Sequence, residues 1–504
     1  MFRLCLFLLC WLGAALRVRG LFANSFHADE ALFAGWARLI AVWRDPLLQT
    51  QLVDKPPLLF YTQALFYPLA GPEEWAARLP SLVASLLLIP LTAQLAWRLT
   101  GDRVTAVLAA AVVAVAPLAV QFSATAFSDP LLTFWLTVAL CLAVRPVAGQ
   151  SFCFRPFLAG LCFGLALATK YQAFLFLPLL GGLAWLTGWR RGEAARWLMG
   201  MGLALAVLLL WMVARAGAPG PVALQWANVG GLRLAWSWEL WPRLADTARL
   251  WRLALGWPLL LLAGALAIGL PLFLHRLRPS ASEDADSALA HSAPPLPRPP
   301  APLLLLPLFI LAYTLLHWLW AVPLWDRYLL PLLPLVAVLL GRGVSLALAA
   351  MRAARPVWGR AAAALLVAVA ALHAPVMLAA RAGRHPIGGG PAADGGAAAV
   401  ARLLEDAPYG TVLYDHWYSW QWRYHLFDRR VYVSWFLHAD ALLDDLAVFG
   451  GGGAARYVAL PASAAARPVA RRLAEAGYGL EPVAGQDGTA SMTLFRIVTE
   501  EAAE

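Results

Sequence analysis

Only two lysines, Lys55 and Lys170, stand among the 39 basic residues of this 504-residue chain; every other cation is an arginine. Where arginine serves almost everywhere, a retained lysine marks a place where a compact ammonium and a planar guanidinium are not interchangeable. Both lysines sit beside polar residues at the edge of apolar stretches, in Val53-Asp54-Lys55-Pro56-Pro57 and Ala168-Thr169-Lys170-Tyr171. A lysine so placed can act as a point-charge ligand for phosphate. Carboxylates and arginines occupy comparable edges: Asp29 and Glu30, Asp54, Arg78, Asp129 and Arg327. Each has an ordinary explanation. Asp29 and Glu30 suit the positive end of a helix, Asp129-Pro130 suits an N-cap followed by proline, and Lys170 suits a helix C-terminus from which it snorkels. As a set they offer carboxylates that can deprotonate an acceptor and cations that can neutralise a phosphate.

The elements that must position these residues are membrane helices. The chain is 61% hydrophobic and 13% charged, whereas soluble domains carry about a quarter charged residues. Its net charge of +10 is therefore not a nucleic-acid signature; in a membrane protein excess arginine collects in cytoplasmic loops. The N-terminal apolar run Leu4–Leu16 resembles a signal sequence in length. Arg17 and Arg19 stand where small cleavage-site residues would be, so it reads as a retained first span. Apolar stretches predict about eleven spans, at 2–21, 79–97, 104–122, 130–144, 152–168, 172–189, 197–214, 251–275, 301–320, 328–341 and 361–380. The stretch 328–341 is short for a bilayer.

A cytoplasmic N-terminus places Arg98 and Arg103, Arg145 and Arg155, Arg190, Arg191 and Arg196, Arg276, Arg278 and Arg298, and Arg342, Arg352, Arg355 and Arg360 inside. That agrees with the positive-inside rule, although Arg17 and Arg19 oppose it. The candidate acids and cations then share the outer side. Segment 279–302, with Glu283, Asp284 and Asp286 among Pro, Ala and Ser, reads as a cytoplasmic linker. The first outer loop, 22–78, contains two amphipathic stretches, 30–43 and 57–69, expected along the interface. Tryptophans 226, 236, 238 and 241 in the outer segment 215–250 suit the headgroup belt.

Residues 1–380 thus form the membrane domain, 381–398 a Gly/Pro/Ala-rich linker, and 399–504 a small α/β domain. In the last, β-rich runs at 411–415, 430–434, 455–459, 479–484 and 491–497 alternate with helical ones at 398–406, 417–427, 438–448 and 463–476. The five cysteines all lie at or before residue 162, so that domain has no disulfide framework. In its aromatic run His416–Tyr424, the residues Trp417, Trp420 and Tyr424 share one helical face. Such a face is first a core face and second a surface for stacking a sugar.

Asp29-Glu30, Asp54-Lys55-Pro56-Pro57-Leu58 and Ala77-Arg78-Leu79-Pro80-Ser81 resemble the first outer loop of the protein O-mannosyltransferase/aminoarabinose transferase-like membrane glycosyltransferases of the GT-C fold. Phe127-Ser128-Asp129-Pro130, Ala168-Thr169-Lys170 and Arg327-Tyr328-Leu329-Leu330-Pro331 match later landmarks of that family, in order. The resemblance implies a mainly α, polytopic GT-C protein with a C-terminal extracytoplasmic domain, in the bacterial cytoplasmic membrane. It implies inverting transfer of a sugar from a polyprenyl-phosphate donor to a lipid, glycan or protein acceptor on the outer face. Asp29 would be the general base with Glu30 second, while Lys55, Arg78, Lys170 and Arg327 bind the donor phosphate and Asp129 supports them. Some relatives hold a divalent metal through the acid at the position of Asp54. The histidine that completes such a site has no counterpart in 215–250.

Two other classes compete. Charged residues in membrane proteins also mark the pathways of transporters and lipid flippases. Transporters, however, tend to show paired repeats with broken midplane helices, and no two halves of this chain are alike. A non-catalytic assembly protein with a receptor-like outer domain would keep its function when Asp29 is substituted.

Overall fold

All eleven apolar stretches become helix over most of their length in a computed structural model, which describes residues 1–145, 153–215, 217–218, 220–228, 233–276, 301–449, 453–486 and 491–499. The segment read as a cytoplasmic linker, with Arg278 and Arg298, falls largely outside the described residues. Helix α1 (Phe2–Ala23) leads into α2 (Ala28–Ala41), α3 (Leu58–Ala64) and α4 (Tyr67–Ala70) of the first loop. The bundle continues with α5 (Glu74–Thr100), α6 (Arg103–Val115), α7 (Pro117–Phe122), α8 (Asp129–Ala143), α9 (Arg155–Thr169) and α10 (Leu177–Leu186). It closes with α11 (Arg191–Ala214), α12 (Pro221–Asn228), α13 (Ser237–Leu255), α14 (Trp257–Arg276), α15 (Ala301–Leu319), α16 (Leu333–Ala354) and α17 (Pro356–Arg381).

Six of these segments are long and apolar enough to cross a membrane by length and composition, and seven if α13 and α14, bent by 105°, count as one. The multi-pass membrane character is plain. The stretch predicted at 328–341 is not short: a 3₁₀ turn at Asp326–Leu332 runs into α16, and the helix passes Arg342, which pairs with Asp102 at 3.5 Å. Conversely, α6, α8 and α9 are only 13 to 15 residues long, a rise of about 20 Å against a hydrocarbon core of about 30 Å. All three sit within the main buried core, where neighbouring helices rather than lipid surround them.

The break between α6 and α7 accounts for Arg17. Pro117 has no N–H, so the Val113 carbonyl loses its helical donor. The buried Arg17 guanidinium donates to the carbonyls of Val113 (2.9 Å) and Ala114 (2.8 Å) and to Ser85 Oγ (3.0 Å). This arginine is a structural plug and does not belong to the loop charges.

Helices α9 and α11 pack at backbone distance. A Cβ on Gly160 would lie 1.9 Å from the Trp197 carbonyl oxygen, and one on Gly200 would lie 2.0 Å from that of Phe157. Small residues four apart, Gly160 and Gly164 against Gly200 and Ala204, allow this approach. It fixes α9, and with it Lys170 at its C-terminal end.

The first-loop helix α2 is largely buried, with Ala31, Phe33, Ala34, Trp36 and Ala37 in the core, between α3 and the C-terminal domain.

That domain contains α18 (Ala397–Arg402), β1 (Thr411–Asp415), α19 (Ser419–His425), β2 (Val431–Trp435), α20 (Ala439–Phe449), β3 (Arg456–Pro461), α21 (Arg467–Glu475), β4 (Tyr478–Pro482) and β5 (Met492–Thr499). The sheet order is β2-β1-β3-β5-β4. Strand β1 pairs in parallel with β2 and β3, whereas β5 runs antiparallel to β3 and β4. Of the aromatic run, Trp422 and Tyr424 are buried and Trp420 is exposed, so only part of the predicted face is core. The Tyr424 hydroxyl donates to the Pro72 carbonyl at 2.6 Å, and Arg38 donates to the Tyr424 carbonyl at 2.9 Å, joining the domain to the first loop.

The Gly-rich segment before the domain is strapped down. Gln121 Nε2 lies 3.1, 2.9, 3.3 and 2.6 Å from the carbonyls of His385, Ile387, Gly388 and Gly389. The Gly388 N–H donates to Asp326 at 2.7 Å. Gly383 and Gly389 take positive φ values of 66° and 81°, which a side chain would resist.

Candidate active site

A cavity of about 560 Å³ opens at the end of the bundle where α1 finishes and α8 begins. Six of the eight residues singled out by sequence line it: Asp29, Asp54, Lys55, Asp129, Lys170 and Arg327. Each arrives at a helix end or break. Asp29 lies in the first turn of α2, Lys55 just before α3, Asp129 at the start of α8, Lys170 at the C-cap of α9, and Arg327 in the 3₁₀ turn ahead of α16. Ser128, not Asp129, occupies the N-cap position, which frees the Asp129 carboxylate for other partners.

The three acids and three cations pair within the cavity. Lys170 Nζ donates to Asp129 at 2.6 Å and lies 4.6 Å from the centre of the Tyr328 ring. Arg327 donates to Asp29 at 3.0 Å and approaches Asp129 at 3.9 Å. Its guanidinium stacks on Phe127 at 4.5 Å and Trp325 at 5.2 Å, which fixes its plane. Lys55 bonds to Asp54 and donates to Gln225 Oε1 at 2.8 Å. Side-chain exposure separates the acids: Asp129 is 1% exposed, Asp54 15% and Asp29 40%. Asp29 is therefore the carboxylate that an incoming molecule reaches.

Glu30 and Arg78 do not line this cavity. Successive residues on a helix point about 100° apart, so Glu30 turns inward when Asp29 faces the cavity. Its carboxylate accepts from the backbone N–H of Ala126 (2.6 Å) and of His27 (3.0 Å), closing a capping box at the start of α2. Arg78 is fully buried and donates to the carbonyls of Leu21 (3.3 Å) and Asn24 (2.7 Å) and to Glu74 (2.9 Å). It also lies 3.7 Å from Glu30. The pair Glu30–Arg78 ties α2 and α5 to the end of α1.

Arg78 instead borders a second, polar cavity of about 540 Å³ between the bundle and the C-terminal domain, with Glu74, Arg402 and His425. Burial pushes the His425 imidazole down to about 4, with Asp394 pulling the other way, so this histidine is neutral at ordinary pH.

Sequence reasoning missed the neutral wall of the first cavity: Gln172, Gln225, His317 and Tyr328. Tyr313 and Gln172 bond to each other and both donate to the Tyr328 carbonyl, at 3.0 and 3.3 Å. His317 stacks on Tyr313 with ring centres 4.2 Å apart. Neutral residues within apolar stretches carry no signal of their own, and Gln225 reaches Lys55 only through the tertiary fold.

The residues present do not fit the metal implied for Asp54. Its carboxylate is bonded by Lys55, and no three His, Cys, Asp or Glu side chains among the described residues are grouped to hold an ion.

Residues 54–214, which carry Asp54, Lys55, Asp129 and Lys170, match the family model described as dolichyl-phosphate-mannose-protein mannosyltransferase. An undecaprenyl phosphate-alpha-4-amino-4-deoxy-L-arabinose arabinosyl transferase from an Enterobacter species is 26% identical over 177 residues, 34% of this chain and 32% of that protein. Its counterpart from Erwinia tasmaniensis is 29% identical over 173 residues, 33% and 31% of the two chains. The match thus spans about a third of these relatives. The structural likeness is longer. ArnT from Cupriavidus metallidurans bound to undecaprenyl phosphate superposes with a TM-score of 0.62 at 15% identity, covering 98% of this chain and 97% of that one. The Archaeoglobus fulgidus oligosaccharyltransferase in its apo form gives 0.55 at 14% identity, covering 95% and 73%. This chain thus shares its fold with these solved structures over almost its whole length, and its residues 54–214 are similar in sequence to the dolichyl-phosphate-mannose-protein mannosyltransferase family.

Proposed function

We propose that this chain transfers a sugar from a polyprenyl-phosphate donor to a lipid, glycan or protein acceptor at the outer face of a bacterial cytoplasmic membrane, inverting the anomeric centre. One observation carries the reading: three cation–carboxylate pairs meet in a single cavity at one end of the bundle. The lining charges balance, so the cavity gains an anion by sharing cations already in place rather than by recruiting them.

A second feature supports a lipid-borne donor. Residues Pro307, Ile310 and Leu311 of α15 border an apolar groove of about 470 Å³, with Leu255, Leu266 and Leu340 opposite. Leu316 and His317, near the end of the same helix, and Trp320 just beyond it line the charged cavity, so one helix borders both the charged cavity and a groove that suits hydrocarbon. The relatives whose names specify undecaprenyl-phosphate-linked aminoarabinose transfer lend the donor class. A transporter or flippase would place its charges near the middle of the bundle, and here they gather at one end.

The chemistry follows from the exposures. The acceptor O–H or N–H meets Asp29, which takes its proton as the acceptor attacks the anomeric carbon and the bond to the phosphate oxygen breaks. Negative charge grows on the departing polyprenyl phosphate, where Lys55, Lys170 and Arg327 can neutralise it. Asp129, buried and bonded to Lys170, holds that ammonium in place.

Asp29→Asn keeps size and hydrogen bonding but removes the base, and a positioned base contributes about 10²–10⁴ in rate. With purified enzyme in lipid, labelled polyprenyl-phosphate sugar and a cell-envelope extract as acceptor, turnover should fall by that order while donor binding hardly changes. Unchanged turnover would remove Asp29 from the mechanism.

A further inference from the structure

A groove of about 370 Å³ separates α2 from the C-terminal domain, with Leu32, Gly35 and Gln51 on one wall and Trp420, Arg423 and Tyr432 on the other. Its floor is the buried pair Trp36 and Trp422. Tyr432 is 69% exposed and Trp420 39%. The Arg423 guanidinium lies 5.0 Å from the centre of the Trp420 ring. A side chain added at Gly35 would meet nothing within 4 Å, although its neighbours Ala34 and Trp36 are packed. The groove keeps its width at that point.

We infer that this groove is a carbohydrate subsite for the acceptor; the inference rests on the transfer activity proposed above. A sugar ring has an apolar C–H face and an edge of hydroxyls. Exposed Tyr and Trp rings match the face, while the Arg423 guanidinium and the Gln51 amide match the edge. A lipid tail is the poorer occupant, because it would cover the exposed Arg423 guanidinium with hydrocarbon, whereas the groove along α15 is apolar.

The position supplies the second argument. Leu32 lines both this groove and the charged cavity, and Asp29, one helical turn earlier on α2, faces that cavity. A glycan seated on Trp420 and Tyr432 would extend over Leu32 and present its end to Asp29. The groove thus selects the acceptor and orients it toward the reacting atoms without touching them.

The test is steady-state transfer from labelled donor to a cell-envelope extract supplied intact, protease-digested or periodate-oxidised. Gly35→Leu, which fills the groove, and Tyr432→Ala, which removes a ring, should each raise the acceptor KM about tenfold, the loss of one ring contact. The donor KM and the turnover at saturating acceptor should stay at wild-type values, and Tyr432→Phe should restore the acceptor KM. Periodate, which cleaves vicinal diols, should abolish acceptor capacity, and protease should leave it. Wild-type acceptor KM in both groove variants would overturn the subsite while leaving the transferase reading intact. Acceptor capacity destroyed by protease would overturn it in favour of a peptide, for which β2 at the sheet edge offers pairing. No transfer by the wild-type enzyme to any extract would sink the transferase reading, and the subsite with it.

Discussion

Lys55 holds its ammonium between Asp54 and Gln225, two acceptors contributed by different parts of the chain. A guanidinium is wider, planar and aimed differently, so Lys55→Arg cannot keep both contacts and still face the cavity. We expect Lys55→Arg to lose most turnover and Lys55→Ala nearly all of it, with membrane insertion intact, in the same transfer assay. Wild-type turnover in the arginine variant would make the lysine an accident of composition. The scarcity of lysine was legible in the sequence, and so were the five other charged residues that line its cavity, because charge at the end of an apolar stretch is conspicuous. The misreading of Glu30 and Arg78 has a physical cause. Adjacency to Asp29 does not bring a residue to the same helical face, and the capping pattern His27-x-x-Glu30 and the spacing Glu74-x-x-x-Arg78 already pointed to structural duties. Gln225 was illegible as a partner because only the tertiary fold brings it to Lys55.

Helices that end early make the cavity. Apolar periodicity located α6, α8 and α9 but not their depth, since their short length is compensated by burial among longer neighbours. The strands of the C-terminal domain fell within two residues of their predicted positions, because alternating runs between Gly and Pro turns are a local signal. The pairing of α9 with α11 was not read at all: small residues four apart matter only once two helices meet. Gly200→Leu must push α9 and α11 apart, because a Cβ there collides with the Phe157 backbone. Overpacking of this kind costs about 1–3 kcal/mol, and the displaced α9 carries Lys170 away from Asp129. Thermal unfolding in detergent should show a lowered midpoint together with weakened donor binding. Gly202→Leu, where a Cβ meets open space, is the matched control and should behave as wild type in both measurements.

For the whole molecule, the proposed orientation rests on which end of the bundle bears the loop arginines. Arg98, Arg103, Arg145, Arg190 and Arg355 lie at the end away from the cavity, at the boundaries of α5, α6, α8, α11 and α17. Reporter fusions at residue 390 and within 279–300 should therefore report opposite compartments, the first outside the cell membrane and the second inside. Both on one side would overturn the outer-face cavity. Arg17 seemed to argue for the reverse orientation, and its burial against the α6–α7 break removes that objection.

The strap before the C-terminal domain acts mechanically as a gear. Gly388 is bonded to Asp326, and the next residue along is Arg327, which grips Asp29 across the cavity. Gln121 clamps the same few residues of the strap from the other side. A domain that moves on this strap cannot move freely of the cavity rim; it must either break the clamp or carry the Asp326 turn with it. Rocking of the domain would then be felt at Arg327 as a tightening or slackening of its hold on Asp29, the proposed base.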